Sequence, residues 1–238
     1  VSVRKDSYTG SSHFCAGTLI SNYLVLTAAH CAAAINPKTS YVVLGNRDRS
    51  ILSSDSIHRI RKVILHPEYG TQSYENDIAL LVLIRAVDFT SGIRPICLPK
   101  MPKYGYDNKR VVVSGWGHII GASNGSSLLQ FAPLTVLPVV VCRRYPPFHY
   151  LSDKNICAYD RSDYSCKTKV YPVVYVFVFL VTQGDSGSPL AYKNPDDANT
   201  FEVIGIQSIG NNCASGYPTI FTRVTSYLDW ITSYMKNK

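Results

Sequence analysis

The sequence predicts an all-β protein of two lobes, and three observations carry that reading. Short runs rich in Val, Ile, Leu and Tyr recur between turn signals: Tyr41 to Leu44, Ile60 to Leu65, Ile78 to Ile84, Val111 to Val113, Val136 to Val141, Val203 to Ile206 and Thr219 to Val224. Their spacing is too short and irregular for helices alternating with parallel strands, so they should close into a barrel or a sandwich. Residues 99–109, rich in Pro, Gly and polar groups, read as a linker between a first lobe, 1–98, and a second, 110–238.

One segment reads as a helix, about 224–235. Val224, Tyr227, Leu228, Ile231, Tyr234 and Met235 recur at helical spacing and form one apolar face. Thr225 or Ser226 is positioned to cap its start, with Asp229 near the positive end and Lys236 and Lys238 near the negative end. A second segment fits nothing around it. Val170 to Val181 reads VYPVVYVFVFLV, uncharged, too short for the roughly 20 apolar residues that span a bilayer, and suited to a buried strand or, if exposed, to aggregation.

Composition narrows the function classes. With 46% hydrophobic and 17% charged residues the chain can bury a core and is not disordered. The formal charge of +8 is scattered, densest at Arg59-Ile60-Arg61-Lys62 and Arg143-Arg144, which makes a solvated basic surface or a polyanion site rather than a nucleic-acid arm. Seven cysteines without a C-x-x-C pair argue for disulfides, an oxidising compartment and secretion, with no metal site and no membrane anchor. Asn124-Gly125-Ser126 is a glycosylation acceptor in a loop, consistent with secretion. The chain begins at Val1 with neither an initiator Met nor a signal sequence, which suggests that an upstream region was removed or never recorded.

Chemistry concentrates in three motifs. Gly184-Asp185-Ser186-Gly187-Ser188-Pro189 sets a serine between glycines, the residues a backbone needs to turn tightly and bring N–H groups to a substrate atom. A serine hydroxyl becomes a nucleophile only when a base takes its proton and a further group orients that base. Thr27-Ala28-Ala29-His30-Cys31 supplies a histidine beside a cysteine able to fix its loop, and Asn76-Asp77-Ile78-Ala79 a carboxylate at the mouth of an apolar strand. Taken singly these are also an ordinary Gly/Ser turn, a core histidine and a strand-end cap. Together their order along the chain, His, Asp, Ser, is that of the chymotrypsin arrangement.

On these motifs the sequence resembles the trypsin/chymotrypsin-type serine endopeptidases: LTAAHC around His30, NDIALL around Asp77 and GDSGSP around Ser186. Further likeness lies in HFCAGTLIS at His13 to Ser21, RPICLP at Arg94 to Pro99, SGWG at Ser114 to Gly117, and PTIFTRV and LDWI near the end. The resemblance implies two packed six-stranded antiparallel barrels with a C-terminal helix and a catalytic site between them. It implies His30 as general base and then acid, Asp77 as its orienter, Ser186 as nucleophile, and the N–H groups of Gly184 and Ser186 as the oxyanion hole. No cofactor is implied. Protein or peptide substrates, an activating protease and a serpin-type inhibitor are the implied partners.

The family's disulfides map onto Cys15 with Cys31, Cys142 with Cys157, and Cys166 with Cys213, and a further family bridge falls where Val111 and Tyr192 stand. Cys97 is left over. In family members of the arthropod clip-domain type the matching cysteine holds an N-terminal light chain, so Cys97 is either that link or a free buried thiol. By position the P1 pocket has Tyr164 at its floor and Gly210 and Thr219 as walls, which favours an uncharged P1 residue, although Asp163 one residue away keeps cleavage after Arg or Lys open. Ile209 stands where the family has an aromatic, between Ser208 and Gly210, whose backbone is expected to pair with an extended peptide.

Two departures bear on activity. Val1-Ser2-Val3 matches the family about a dozen residues inside the mature enzyme, so the freed α-amino group that pairs with the acid before the nucleophile, here Asp185, is not in the sequence. Asp185 would then be a buried unpaired charge and the site zymogen-like. Lys167 to Gln183 intervene where the family has a single residue, reading as a hairpin over the cleft, an insertion that abolishes catalysis, or retained intron sequence. The last is favoured because Lys169-Val170 and Gln183 are encodable as intron ends, yet excision would still leave Lys167, Thr168 and Lys169. The expected function is a secreted serine endopeptidase made as a zymogen, acting in an extracellular cascade or in digestion. The alternative is an impaired homologue that binds partners in a cascade.

Overall fold

The computed structural model describes residues 1–6, 12–70, 75–117, 126–159, 185–197, 199–209 and 217–236. The first lobe is a seven-stranded antiparallel sheet of β1 (Ser2–Lys5), β2 (Ser12–Ala16), β3 (Thr18–Leu19), β4 (Leu24–Thr27), β5 (Ser40–Val43), β6 (Ile57–Leu65) and β7 (Ala79–Leu83), in the order β2-β1-β5-β6-β7-β4-β3. It has one strand more than expected because the run after β2 turns at Gly17 into the short β3. A Cβ at Gly17 would meet Val25 Cγ1 at 2.8 Å and the Leu26 carbonyl at 3.0 Å, so the corner closes directly onto β4.

The second lobe is a closed six-stranded barrel, which decides between barrel and sandwich. Its strands are β8 (Arg110–Gly115), β9 (Gln130–Leu137), β10 (Asn155–Tyr159), β11 (Pro189–Lys193), β12 (Phe201–Ile209) and β13 (Thr219–Arg223), in the order β10-β13-β12-β11-β8-β9. Val111, Val113, Leu134, Val136, Ile156, Leu190, Ile204 and Phe221 fill it. Together the lobes give the all-β, two-barrel architecture expected, with a short C-terminal helix.

β4 and β7 are buried on both faces, which is why their sequences read as unbroken apolar runs rather than as alternation. The core of the first lobe continues through Val203 and Ile206 of β12 into Val224, Tyr227 and Ile231 at the C-terminus. A shared apolar core fixes the two lobes against one another. The chain between β7 and β8 is held as well: Tyr106 is buried, its hydroxyl donates to Glu202 Oε2 at 2.5 Å, and it accepts from the N–H groups of Lys100 and Met101. The buried Arg223 guanidinium adds bonds to the carbonyls of Lys103, Asp153 and Asn155.

Two elements differ from expectation. The run Val136 to Val141 is not one strand: β9 ends at Leu137, and Pro138, with φ −54°, starts the helical turn α2 (Val139–Cys142). Proline cannot donate to a ladder but its φ suits a helix start. The terminal helix opens as a 3₁₀ turn, Val224–Tyr227, before α3 (Leu228–Lys236), and neither Thr225 nor Ser226 caps it; both hydroxyls are buried without partners. Burial of Val224 and Tyr227 sets this entry, overriding capping. Asp229 in the first turn of α3 and Lys236 in the last complement its dipole.

His66, just after β6, packs edge-on against Tyr227 and at a tilt against Trp230, with ring centroids 5.1 Å from each. Burial lowers its pKa below 6.5, partly opposed by Glu68 and reinforced by Lys154. A depressed histidine favours the folded state in its neutral form, so this contribution is present above about pH 6.5 and is lost as pH falls through the folded value. The thermal midpoint should therefore drop between pH 7 and pH 5, and His66→Phe should flatten that drop. An identical slope in the variant would show that His66 plays no part.

Candidate active site

Pairing of β4 with β7 brings the first two site residues together. Thr27 opposes Ala79 in the antiparallel register, so His30, in the short helix α1 (Ala29–Ala33) following β4, and Asp77, just before β7, emerge at the same end. Asp77 is fully buried and its carboxylate is spent on three donors. Oδ1 accepts the His30 backbone N–H at 2.8 Å. Oδ2 lies 2.8 Å from His30 Nδ1 and accepts Ser208 Oγ at 2.6 Å. The Asp77 carbonyl accepts Thr222 Oγ1 at 2.8 Å. A carboxylate facing Nδ1 in this way leaves Nε2 as the ring nitrogen directed outward, and the His30 side chain keeps 24% of its surface.

Asn76 braces this carboxylate from behind. Its φ of +52° is a conformation asparagine tolerates better than most residues, its Oδ1 accepts Lys154 Nζ at 2.8 Å and Tyr227 OH at 3.1 Å, and its Nδ2 donates to the Glu68 carbonyl. Burial and the Asp77 charge push the Tyr227 hydroxyl far up, so it stays a donor.

Ser186 sits in the turn before β11, half-buried, clamped by both lobes. Its carbonyl accepts Ala16 N–H of β2 at 2.8 Å, and Gly187 N–H donates to the Gln207 carbonyl of β12 at 2.9 Å. Gly187 has φ +85°, and a Cβ there would lie 2.2 Å from the Ala16 carbonyl oxygen and 2.4 Å from Thr27 Oγ1, so only glycine fits. The disulfide Cys15–Cys31 ties β2 to α1, with Cys31 Sγ 3.5 Å from His30 Nε2 and 3.5 Å from the Ser186 carbonyl oxygen. One sulfur thus spans the gap between imidazole and serine. The second disulfide, Cys142–Cys157, joins α2 to β10. Cys15, His30 and Cys31 are the group of potential metal donors among the described residues, but the two sulfurs are bonded to each other.

Asp185 is fully buried, and the expectation of an unpaired charge needs correction. Gly117 N–H donates to its Oδ1 at 2.8 Å, and attraction to its carboxylate works against the burial that lowers the Arg49 pKa. The socket exists because Gly115 and Gly117 lack side chains: a Cβ on either would stand 1.9 Å from a carboxylate oxygen. Cys97 corrects the other expectation: its thiol is exposed, not buried, and forms no disulfide. Val111 and Tyr192 are both buried, and the β8–β11 register, Leu190 with Val113 and Ala191 with Val112, leads on to them as neighbours.

Ser208 and Thr219 lie on adjacent strands β12 and β13. Tyr164, Gly184, Gly210, Asn124, Cys166 and Cys213, with the segment 167–183, fall outside the described residues. Sequence reasoning missed Asn76, Thr222, Gly115 and Gly117 as functional supports. Their only signal was adjacency to recognised motifs, NDIALL, PTIFTRV and SGWG.

The trypsin family matches residues 2–169 and 178–231, passing over 170–177 within the unusual segment. The chain is 33% identical over 223 residues to human transmembrane protease serine 11B, covering 93% of the chain and 49% of that protein. It is 32% identical to trypsin 5G1 of Aedes aegypti, covering 94% and 76%, and 34% identical to serine protease snk of Drosophila melanogaster, covering 91% and 48%. The chain belongs to the trypsin family of serine proteases. It spans about half the length of the human and fruit-fly relatives.

The Asp185 socket gives a direct test. Gly117→Ala should destabilise by at least the ~1–3 kcal/mol of an overpacked core site. Gly92→Ala, whose Cβ would come no closer than 3.9 Å to Thr90 Oγ1, should be near neutral. Urea midpoints of the two variants decide it, and equal midpoints would mean the socket is not closed by glycine.

Proposed function

We propose that this chain is a serine endopeptidase that cleaves peptide bonds through Ser186, His30 and Asp77. The observation that carries the reading is the buried Asp77 carboxylate holding His30 at both its backbone N–H and Nδ1. In the proposed reaction Ser186 Oγ attacks the scissile carbonyl while His30 Nε2 takes its proton. The resulting oxyanion is met by the N–H groups of Gly184 and Ser186, each worth on the order of 3 kcal/mol in such sites. His30 then returns the proton to the leaving amine, and water, deprotonated by His30, releases the acyl group. Asp77 keeps the imidazole in the required tautomer and stabilises its cation.

The same reading covers the finer roles. Residues 1–98 and 110–238 act as the two lobes about the 99–109 linker. Asp185 is the activation-pocket acid of a protein made as a zymogen and cut by another protease. Ser208, Gly210, Thr219 and Tyr164 form the substrate strand and a P1 pocket for an uncharged side chain. Disulfides support an extracellular setting, and no helix among the described residues is long and apolar enough to cross a membrane. The exposed Cys97 thiol is available to a disulfide-linked light chain. A serpin-type inhibitor and an extracellular cascade or digestion complete the proposal, with Asn124 as its glycosylation site.

A second reading, a homologue that binds cascade partners without cutting, is favoured by one observation: the family match breaks at 170–177, close upstream of Ser186. A fluorophosphonate probe on the full-length activated protein separates the two. Labelling that disappears in Ser186→Ala supports the endopeptidase, and absence of labelling favours the binding partner. In the active protein Asp77→Asn should lower kcat by about 10⁴-fold, the loss expected when the imidazole takes the wrong tautomer. A loss below tenfold would remove Asp77 from the mechanism.

A further inference from the structure

Beside Asp77, where the two lobes meet, lies a groove of about 500 Å³, within the roughly 300–1,000 Å³ of ligand pockets. Asn76, Thr222 and Tyr227 form its buried side, Thr222 bonded to the Asp77 carbonyl and Tyr227 to Asn76. Its open side carries charge from segments far apart in sequence: Glu75 before β7, Lys103 before β8, Arg143 after α2, and Asp153 and Lys154 before β10. Ile209 is the one aliphatic side chain in the lining, so the groove does not suit the mostly apolar small molecules that fill typical pockets.

Three cations meet two acids here. Asp153 is spent: its Oδ1 accepts Arg143 Nη2 at 2.9 Å and its Oδ2 accepts Tyr104 OH at 2.8 Å. Lys154 Nζ, by contrast, donates to the neutral Asn76 Oδ1 at 2.8 Å, while its ion-pair partner Glu68 Oε2, at 3.7 Å, lies beyond hydrogen-bond distance and outside the groove. Lys103 Nζ stands over the Tyr104 ring, 5.6 Å from its centroid, and forms no ion pair among the described residues. The Tyr150 hydroxyl has no hydrogen-bond partner among them either, and burial raises its pKa, so it stays a donor. Each ammonium carries three donors, which leaves the groove with one net positive charge and a surplus of donors.

We propose that this groove binds an acidic segment of a polypeptide, whose carboxylates are held by Lys103 and Lys154 with the Tyr150 hydroxyl as a further donor. A carboxylate is an acceptor only, so it answers a donor surplus, and hydrogen bonds to charged partners are about twice as strong as neutral ones. Ser152 and Asn155, also in the lining, add polar groups suited to a main chain that brings a donor and an acceptor at each residue. The site is separate from Ser186 and stands whether or not that serine reacts.

Binding is measured on the full-length protein carrying Ser186→Ala, so that no probe is cut. The probes are capped glycine peptides containing two adjacent glutamates or two adjacent glutamines, titrated calorimetrically at about 50 mM salt, where exposed charges are weakly screened. The glutamate peptide should bind about tenfold tighter, the equivalent of one charge-assisted hydrogen bond. Lys103→Met combined with Lys154→Met should remove that preference, and the corresponding pair of glutamate substitutions should turn it toward a lysine peptide. Lys62→Met, which takes a charge from an exposed position of β6, should leave the preference intact. Equal affinity for the two peptides, a preference that survives the paired methionine substitution, or one that Lys62→Met removes as well overturns the proposal. Binding of a heparin-type oligosaccharide that the paired substitution abolishes, with no glutamate preference, also overturns it and assigns the groove to sulfated polymers.

Discussion

The arrangement depends on one buried carboxylate. Asp77 has no solvent exposure, and a charge removed from water persists only where donors replace the lost hydration. Those donors come from both lobes, His30 from the segment after β4 and Ser208 from β12 of the other lobe, while Thr222 of β13 adds a bond to the Asp77 backbone carbonyl. Satisfying one carboxyl group thus requires both lobes in register. The shared core, with Ile206 and Val203 packed among residues of the first lobe, supplies the apolar driving force that holds them so.

The nucleophile turn obeys the same logic in backbone terms. Ser186 and Gly187 have no regular ladder of their own, yet their peptide groups are taken by Ala16 of the first lobe and Gln207 of the second. Each contact is short because a side chain is missing where one would collide, at Gly187 against the Ala16 carbonyl and at Gly115 and Gly117 against Asp185. The disulfide Cys15–Cys31 closes the circuit by fixing the residue after His30 to the strand that holds Ser186.

Much of this was legible in the sequence, for reasons that differ by element. β7 announces itself because burial on both faces demands an unbroken apolar run, whereas β4, buried just as fully, is only four residues long and was not among the predicted runs. His30, Asp77 and Ser186 each sit in a local motif whose residue types reflect their chemistry. β1 was not legible: Ser2-Val3-Arg4-Lys5 is a buried strand whose Arg4 is paid for by Ser2 Oγ and the Arg49 carbonyl, a distant partner that no local pattern records. β9 escaped for the opposite reason, since its first half is mostly exposed and contains Pro133. Asn76, Thr222 and the glycine socket act only through partners far along the chain, so their roles appear once the barrels bring those partners together.

The C-terminal turn shows how far the site reaches into the fold. Val224, Tyr227 and Ile231 anchor the last helix in the first-lobe core, and Tyr227 also donates to Asn76, the residue that sets the backbone entering Asp77. Lys154 from the second lobe meets the same Asn76 oxygen. Packing of a peripheral helix is thereby coupled to the orientation of a buried carboxylate. Burial and the Asp77 charge hold the Tyr227 hydroxyl protonated, so it remains a donor to Asn76. The apolar anchor and the charged site reinforce one another, which is the condition for a polar cluster at a lobe interface to remain in a single arrangement.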